Sequence, residues 1–320
     1  MNIVCIGGGS IGLLLTAKLA AAGQQVMLVT HSQLQADALN GGGLTLQELD
    51  GSAAHMPVTA LSFEQASMDS MLLRPDWILL AVKQKHVTEP LLAAVGRWLN
   101  GGGSLLCFQN GIGHVDKLAA YVPIDRLYVA VTTEGAKKLA ADRVAHTGAG
   151  TTMIGPAGNH AAQADEWQKM METQMNAAGF RTHLSNQMKG IVWNKLIINS
   201  VINPLTALLR IRNGELPLTE PRRQLMRGLL AEAREAAAGE GVPTRDDLWE
   251  QIVQVCANTA ANSSSMLQDV AEGRKTEIAW INGAMIGLAR LRGIPMPLHE
   301  TICRLIEAAE PVSGDASRLD

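Results

Sequence analysis

The feature that most constrains this chain is Gly7-Gly8-Gly9-Ser10-Ile11-Gly12. It stands directly after an apolar strand-like run (Asn2–Ile6) and directly before a helical pattern over 13–22. Gly7, Gly9 and Gly12 form G-x-G-x-x-G, in which each glycine has a separate task. The first permits a tight turn, the second lets a pyrophosphate approach the backbone, and the third lets the helix pack closely on the strand. The first turn of the following helix has N–H groups without intrahelical partners, and these suit phosphate. At the first strand-to-helix turn of an alternating chain, the loop reads as a dinucleotide site formed by Gly7, Gly8, Gly9, Ser10, Ile11 and Gly12.

The alternation continues. Strand-like runs occupy 25–29, 76–82, 104–108 and Leu127–Thr132, with a helical pattern over 86–99. The run DWILLAV is nearly all apolar, as expected of a parallel strand covered on both faces. The implied fold is α/β, an N-terminal Rossmann-like doubly wound parallel sheet. Mixed pieces follow, with strands at 151–154 and 181–184 around a helix near 161–178. From about residue 187 only helical patterns remain, over 187–202, 219–240, 245–260 and 276–291. The expected organisation is a dinucleotide-binding domain over 1–186 and an all-helical domain over 187–320. The tail after Pro311 reads as frayed.

Composition narrows the partners. The 320 residues carry a net charge of −3, with 47% hydrophobic and 18% charged residues. Neither sign dominates, so nucleic acid and anionic membrane are not expected partners. The start of the chain lacks secretion-signal features, and no uncharged apolar run is long enough for a membrane span. The cytoplasm is the expected location. The four cysteines (Cys5, Cys107, Cys256, Cys303) form no C-x-x-C pair and read as reduced, buried residues, not metal ligands.

Several polar residues stand out against this background. An acid after the second strand favours NAD and an arginine favours NADP; this chain has Thr30-His31-Ser32. His31 reads either as a donor to a ribose 2′-phosphate or as a solvated loop histidine. Lys83 closes the run DWILLAVK, at the sheet edge where ligands bind, and reads as a cofactor contact or a solvated lysine. Asn110 follows the next strand; its amide suits a nicotinamide ribose or substrate hydroxyl, although Asn-Gly is also a common turn pair. Lys195, Asn199 and Asn203 recur every four residues through an otherwise apolar segment. On a helix they share one face, and we read that stripe as facing a ligand. Pro204 is expected to end the helix. The cluster from Asn262 to Asp269 reads as a helix cap or a carboxylate site. Glu277 reads as a first-turn acid or a site residue.

The motifs GGGSIG, LLAVK, QNGIG, WNKLIINSVINPLTAL, NGEL, SSMLQD and TEIAWING run collinearly over nearly the whole chain and resemble the ketopantoate reductase (2-dehydropantoate 2-reductase) family. The resemblance implies NADPH-dependent reduction of 2-dehydropantoate to pantoate, a step towards pantothenate and coenzyme A, in a cleft between a Rossmann domain and a helical domain. By motif position it implies Lys195 as the catalytic lysine and Asn199, Asn203 and Ser265 as substrate-binding residues. Asn110 is implied to touch cofactor and substrate, Glu277 to lie near the reacting centre, and Ala136 to contact cofactor. One departure is His31, where similar members carry arginine. The expected partner is a small 2-oxo acid, and the sequence leaves room for a homodimer. The readings beside this one are reduction of a different 2-oxo acid, and a cofactor-binding regulator without turnover.

Overall fold

The computed structural model describes residues 1–68, 74–158 and 166–311. The chain falls into two compact units, Met1–Gln109 with His114–Met188, and Asn110–Gly113 with the chain from Lys189 onward. The first part of the helix read near 161–178, and the tail after Pro311, lie outside the described residues.

In the first unit, β1 (Asn2–Ile6) runs through the glycine loop into α1 (Ser10–Ala21), followed by β2 (Gln25–Thr30) and α2 (Gln33–Gly42). Next come β3 (Leu44–Gln47), β4 (Ala53–Met56), β5 (Thr59–Ser62) and α3 (Phe63–Met68). The alternation resumes with β6 (Trp77–Leu80), α4 (Glu89–Trp98), β7 (Ser104–Cys107), α5 (His114–Leu118) and β8 (Leu127–Thr132). The unit ends with β9 (Gly135–Ala140), β10 (Arg143–Gly148), β11 (Thr152–Pro156), α6 (Glu166–Ala177) and β12 (Thr182–Leu184). Eight strands form one sheet in the order β12-β11-β8-β7-β6-β1-β2-β5, with only β8 and β11 antiparallel. From β1 the chain moves outward to β2 on one side and later to β6 on the other. The carboxyl ends of β1 and β6 therefore flank the switch point where open α/β sheets bind ligands.

The sequence reading, with a strand to 82 and a helix from 86, places these two limits too close together. β6 stops at Leu80, and Lys83 lies three residues beyond it, leading into a single turn at Gln84–His86. α4 starts only at Glu89, with Pro90 in its first turn, where the missing N–H breaks no helical bond. The reading also omits a second sheet of four strands, β4-β3-β10-β9, which packs against α1. β4 and β9 are largely exposed, so their apolar alternation is too weak to read.

The second unit is helical: α7 (Met188–Leu209), α8 (Glu220–Gly239), α9 (Leu248–Asn258), α10 (Ser265–Ala271), α11 (Asn282–Leu291) and α12 (Pro297–Ala309). Among the described residues no strand follows Leu184, and no helix is long and apolar enough to cross a membrane. Its core joins Leu196, Ile197 and Val201 of α7 to Leu229, Ile252, Met285 and Ile306. The four cysteines are free and buried, two in each unit.

Two helix limits in this unit correct the sequence reading. α7 does not end at Pro204 but continues to Leu209. Proline removes the N–H that would bond the Ser200 carbonyl. The side-chain amide of Asn282 donates to that carbonyl instead, at 2.9 Å, so the helix passes through its proline without an unmet acceptor. The pattern over 276–291 is not one helix. A single turn at Ile278–Trp280 breaks at Ile281 (φ −101°, ψ −85°), and α11 starts at Asn282. Glu277 thus precedes a tight turn and is not the first-turn acid of an α-helix.

Candidate active site

In the first unit the parallel register pairs Ile6 of β1 with Leu80 of β6, which sets Gly7 beside Ala81. A Cβ on Gly7 would meet the Ala81 backbone at 2.9 Å, and its φ of +123° is a glycine conformation. A Cβ on Gly12 would collide with the Gly7 carbonyl oxygen. At Gly9 a Cβ would meet nothing within 4 Å, so the loop is open at the glycine where a pyrophosphate must come close. Gly9 also precedes α1 with no side-chain cap. Open space and uncapped helical N–H groups together fit a dinucleotide phosphate group.

Two residues that the sequence reading missed hold this loop. The Gly8 carbonyl accepts from Gln35 Nε2 (3.0 Å) and from Lys138 Nζ (2.9 Å), and the Lys138 N–H donates to Ser10 Oγ (3.0 Å). Burial pulls the Lys138 ammonium below its usual value. Lys138 lies on β9 two residues beyond Ala136, so that strand comes to the loop through its backbone. The mostly exposed strand β9 that carries Lys138 lacks the apolar alternation that would have marked it in the sequence. Ile11 packs half-buried on the core of this unit.

His31 follows β2 and is exposed, with its ring 6.3 Å from that of His86. Desolvation and the charges of Lys85, His31 and Lys83 hold the His86 imidazole below its usual value. The carboxyl edges of β2 and β6 thus bring two imidazoles and two lysines into one neighbourhood. Sequence reasoning had only His31 and Lys83 of these four.

The second unit gathers the other candidates. Lys195 and Asn199 are half-buried on α7, and Asn203 is buried one turn further on. Burial lowers the Lys195 ammonium to about 8, while the nearby carboxylate of Glu277 works in the opposite direction. Glu277 is itself buried (7% exposed). Its position is fixed by its neighbour Thr276, whose N–H and hydroxyl both donate to Glu310 Oε1 (2.8 and 2.6 Å). Asn110 counts with this unit: its side-chain amide donates to Glu277 Oε2 at 3.5 Å, and the Ile112 N–H donates to the Trp280 carbonyl at 3.3 Å. Lys195, Glu277 and Asn110 are therefore brought together from α7, the turn before α11 and the loop after β7.

The serine cluster divides between the two readings left open by the sequence. Ser264 is the N-cap of α10, its hydroxyl oxygen accepting from the Leu267 N–H at 3.1 Å. Ser264 Oγ also lies 2.8 Å from Thr206 Oγ1, which anchors α10 to α7 one turn beyond Asn203. Ser265 is the first residue of α10 and is exposed. Ser264→Ala should therefore lower stability by about 1 kcal/mol. Ser265→Ala should leave thermal unfolding unchanged, because its side chain is exposed and caps nothing. Melting curves on the two variants check both. The opposite pattern would exchange the structural roles of these serines.

Residues 3–159 match the family described as "Ketopantoate reductase PanE/ApbA", and residues 187–310 match its "C terminal" counterpart. The 2-dehydropantoate 2-reductase of Halobacterium salinarum is 31% identical over 310 residues, spanning 97% of this chain and 99% of the relative. The crystal structure of a PanE/ApbA family ketopantoate reductase from Ralstonia eutropha superimposes with a TM-score of 0.85 at 26% identity, covering 97% of this chain and 98% of that one. D-mandelate dehydrogenase, solved with NADH and anilino(oxo)acetate, shares the fold with a TM-score of 0.87 at 22% identity, over 97% of this chain and 98% of that one. With both of its units matched and a relative this similar over nearly its full length, the chain belongs to the ketopantoate reductase family.

Proposed function

We infer that the chain reduces 2-dehydropantoate to pantoate, on the route to pantothenate, with Lys195 giving the proton. The observation that carries the residue assignment is Lys195 itself. It is an ammonium lowered to about 8 by burial, with a buried carboxylate acting in the opposite direction, on a helix whose half-buried polar face continues into Asn199. The cofactor is a nicotinamide dinucleotide held at Gly7–Gly12, and it supplies the hydride. NADPH is the finer reading, supported by the cations around His31 and by the absence of an acid after β2.

As the ketone carbon is reduced, negative charge grows on its oxygen. The Lys195 ammonium hydrogen-bonds that oxygen, stabilises the charge and transfers a proton to it. Glu277 orients the ammonium and keeps it protonated near neutral pH. Asn110 bridges cofactor and substrate, Asn199 and Asn203 hold the substrate hydroxyl and carbonyl, and Ser265 donates to its carboxylate. Lys83, Ala136, Ser10 and Ile11 complete the dinucleotide contacts.

A steady-state assay with ketopantoate, run in parallel with NADPH and NADH, tests substrate and cofactor together. Ketopantoate should rank above other 2-oxo acids, and NADPH above NADH. A general acid must carry its proton, and the protonated fraction of Lys195 falls as pH rises through about 8. The kcat for reduction should therefore be level below that pH and fall above it, while the reverse oxidation rises. A different oxo acid at the head of the panel would reassign the substrate. A kcat level to pH 10 would remove Lys195 from the acid role.

A further inference from the structure

We propose that Asn282 and His299 form a positioning lock for the Lys195–Glu277 pair, built on the hydrogen bond that Pro204 removes from α7. The inference rests on the reading of Lys195 and Glu277 as the working pair of the site.

Pro204 leaves the Ser200 carbonyl without its helical donor, and Ser200 is fully buried, so water does not replace it. An unmet buried carbonyl is costly. The Asn282 amide donates to it at 2.9 Å and is itself 0% exposed. The same amide nitrogen lies 3.1 Å from His299 Nδ1, and His299 Nε2 lies 2.9 Å from the Leu229 carbonyl. One arrangement satisfies this chain: the imidazole is neutral with its proton on Nε2, donating to Leu229, and its Nδ1 accepts from Asn282. Burial holds the His299 imidazole below its usual value, in keeping with that neutral form. The amide cannot flip, because its oxygen would then face the Ser200 oxygen. Its Oδ1 has no partner among the described residues, so the residue serves here as a double donor.

Ser200 lies five residues beyond Lys195 on α7, and Asn282 lies five residues beyond Glu277. The Asn282–Ser200 bond therefore ties the helix that carries the lysine to the segment that carries the glutamate. The far end of the lock is also fixed, since the N–H groups of Leu298 and His299 donate to Glu232 of α8 at 2.9 and 3.0 Å. A plain apolar contact would hold the two elements together. A directional bond to the carbonyl freed by Pro204 sets their axial register, and with it the separation of Lys195 and Glu277.

The test is a double-mutant cycle on the full chain: Asn282→Ala, Pro204→Ala and both together, read by thermal unfolding and by the pH dependence of kcat. Asn282→Ala strands the Ser200 carbonyl. Adding Pro204→Ala returns a donor from within the helix. The single Asn282 variant should lose roughly tenfold to a hundredfold in kcat, as expected of small misplacements at a reacting centre. Its alkaline limb should move to lower pH, because Lys195 feels Glu277 less. Pro204→Ala alone has the smaller effect, since Ser200 then has two donors available. The double variant should recover most of the lost melting temperature and kcat and bring the limb back. Recovery of folded, active protein upholds the lock even where Asn282→Ala does not fold. Three results overturn it: no recovery in the double variant, a melting-temperature loss in Asn282→Ala with kcat and pH limb unchanged, or a fall in kcat with the limb unmoved. A wild-type protein that reduces no oxo acid instead removes the reading on which the lock rests.

Discussion

Lys195→Ala is expected to lower kcat by at least about a hundredfold, with the affinity for the dinucleotide little changed. The glycine loop read as the dinucleotide site belongs to the first unit and Lys195 to the second, so the variant should separate dinucleotide binding from chemistry. Two companion variants divide the loss into its parts. Lys195→Arg keeps a positive charge, but arginine does not deprotonate in this pH range and is a poor proton donor. If charge stabilisation dominates, the arginine variant should recover part of the loss and the alkaline limb near pH 8 should vanish. If proton donation dominates, arginine should be as slow as alanine. Glu277→Gln removes the charge that raises the Lys195 ammonium, so burial acts unopposed and the limb should move to lower pH. Near-normal turnover in Lys195→Ala would move the acid role elsewhere in the site. Stability should be followed alongside, because removing Lys195 leaves the buried Glu277 carboxylate without the positive charge beside it.

The parts of this site that were legible in the sequence share one property: their signal is local. The glycine loop sits between a strand and a helix only a few residues away, and the Lys195–Asn199–Asn203 stripe shows itself through the spacing of one helix. What was not legible depends on partners distant in sequence. That α7 continues through Pro204 depends on a donor from Asn282, 82 positions away from the carbonyl it serves. The position of Lys138 against Gly8 depends on pairing within a small sheet whose β4 and β9 are mostly solvent-facing. The role of Ser264 as a cap, with Ser265 left exposed, turns on a helix start fixed to one residue, below the resolution of a periodic pattern. The loop 110–113 sits between two elements of the first unit, but its contacts run to Glu277 and Trp280. His86 gave no signal because its significance comes from His31, on a neighbouring part of the sheet edge.

Gly12→Ala should abolish the folded first unit, whereas Gly9→Ala should weaken only its dinucleotide binding. The two positions lie in one loop, but their surroundings differ. An alanine methyl at Gly12 would collide with the Gly7 carbonyl oxygen, which is backbone held by a sheet pairing and cannot rotate away. Relief would require α1 to move off β1, and α1 carries Leu13, Leu14, Leu15 and Leu19 into the core of this unit. Overpacking of a rigid core costs about 1–3 kcal/mol and occasionally more. Backbone against backbone belongs at the upper end, so Gly12→Ala should appear as insoluble or extensively unfolded protein. At Gly9 the same methyl meets nothing within 4 Å, and the backbone there (φ −87°, ψ −174°) is open to any residue. Gly9→Ala should melt with the wild type. Its methyl would stand where a pyrophosphate approaches the α1 N-terminus, so NADPH affinity should fall at least about tenfold, a loss near 1.4 kcal/mol. Circular dichroism melts and fluorescence titration with NADPH check both outcomes. Wild-type NADPH affinity in a well-folded Gly9→Ala protein would mean that no phosphate comes close to that glycine, and the dinucleotide would have to be placed elsewhere on the sheet edge.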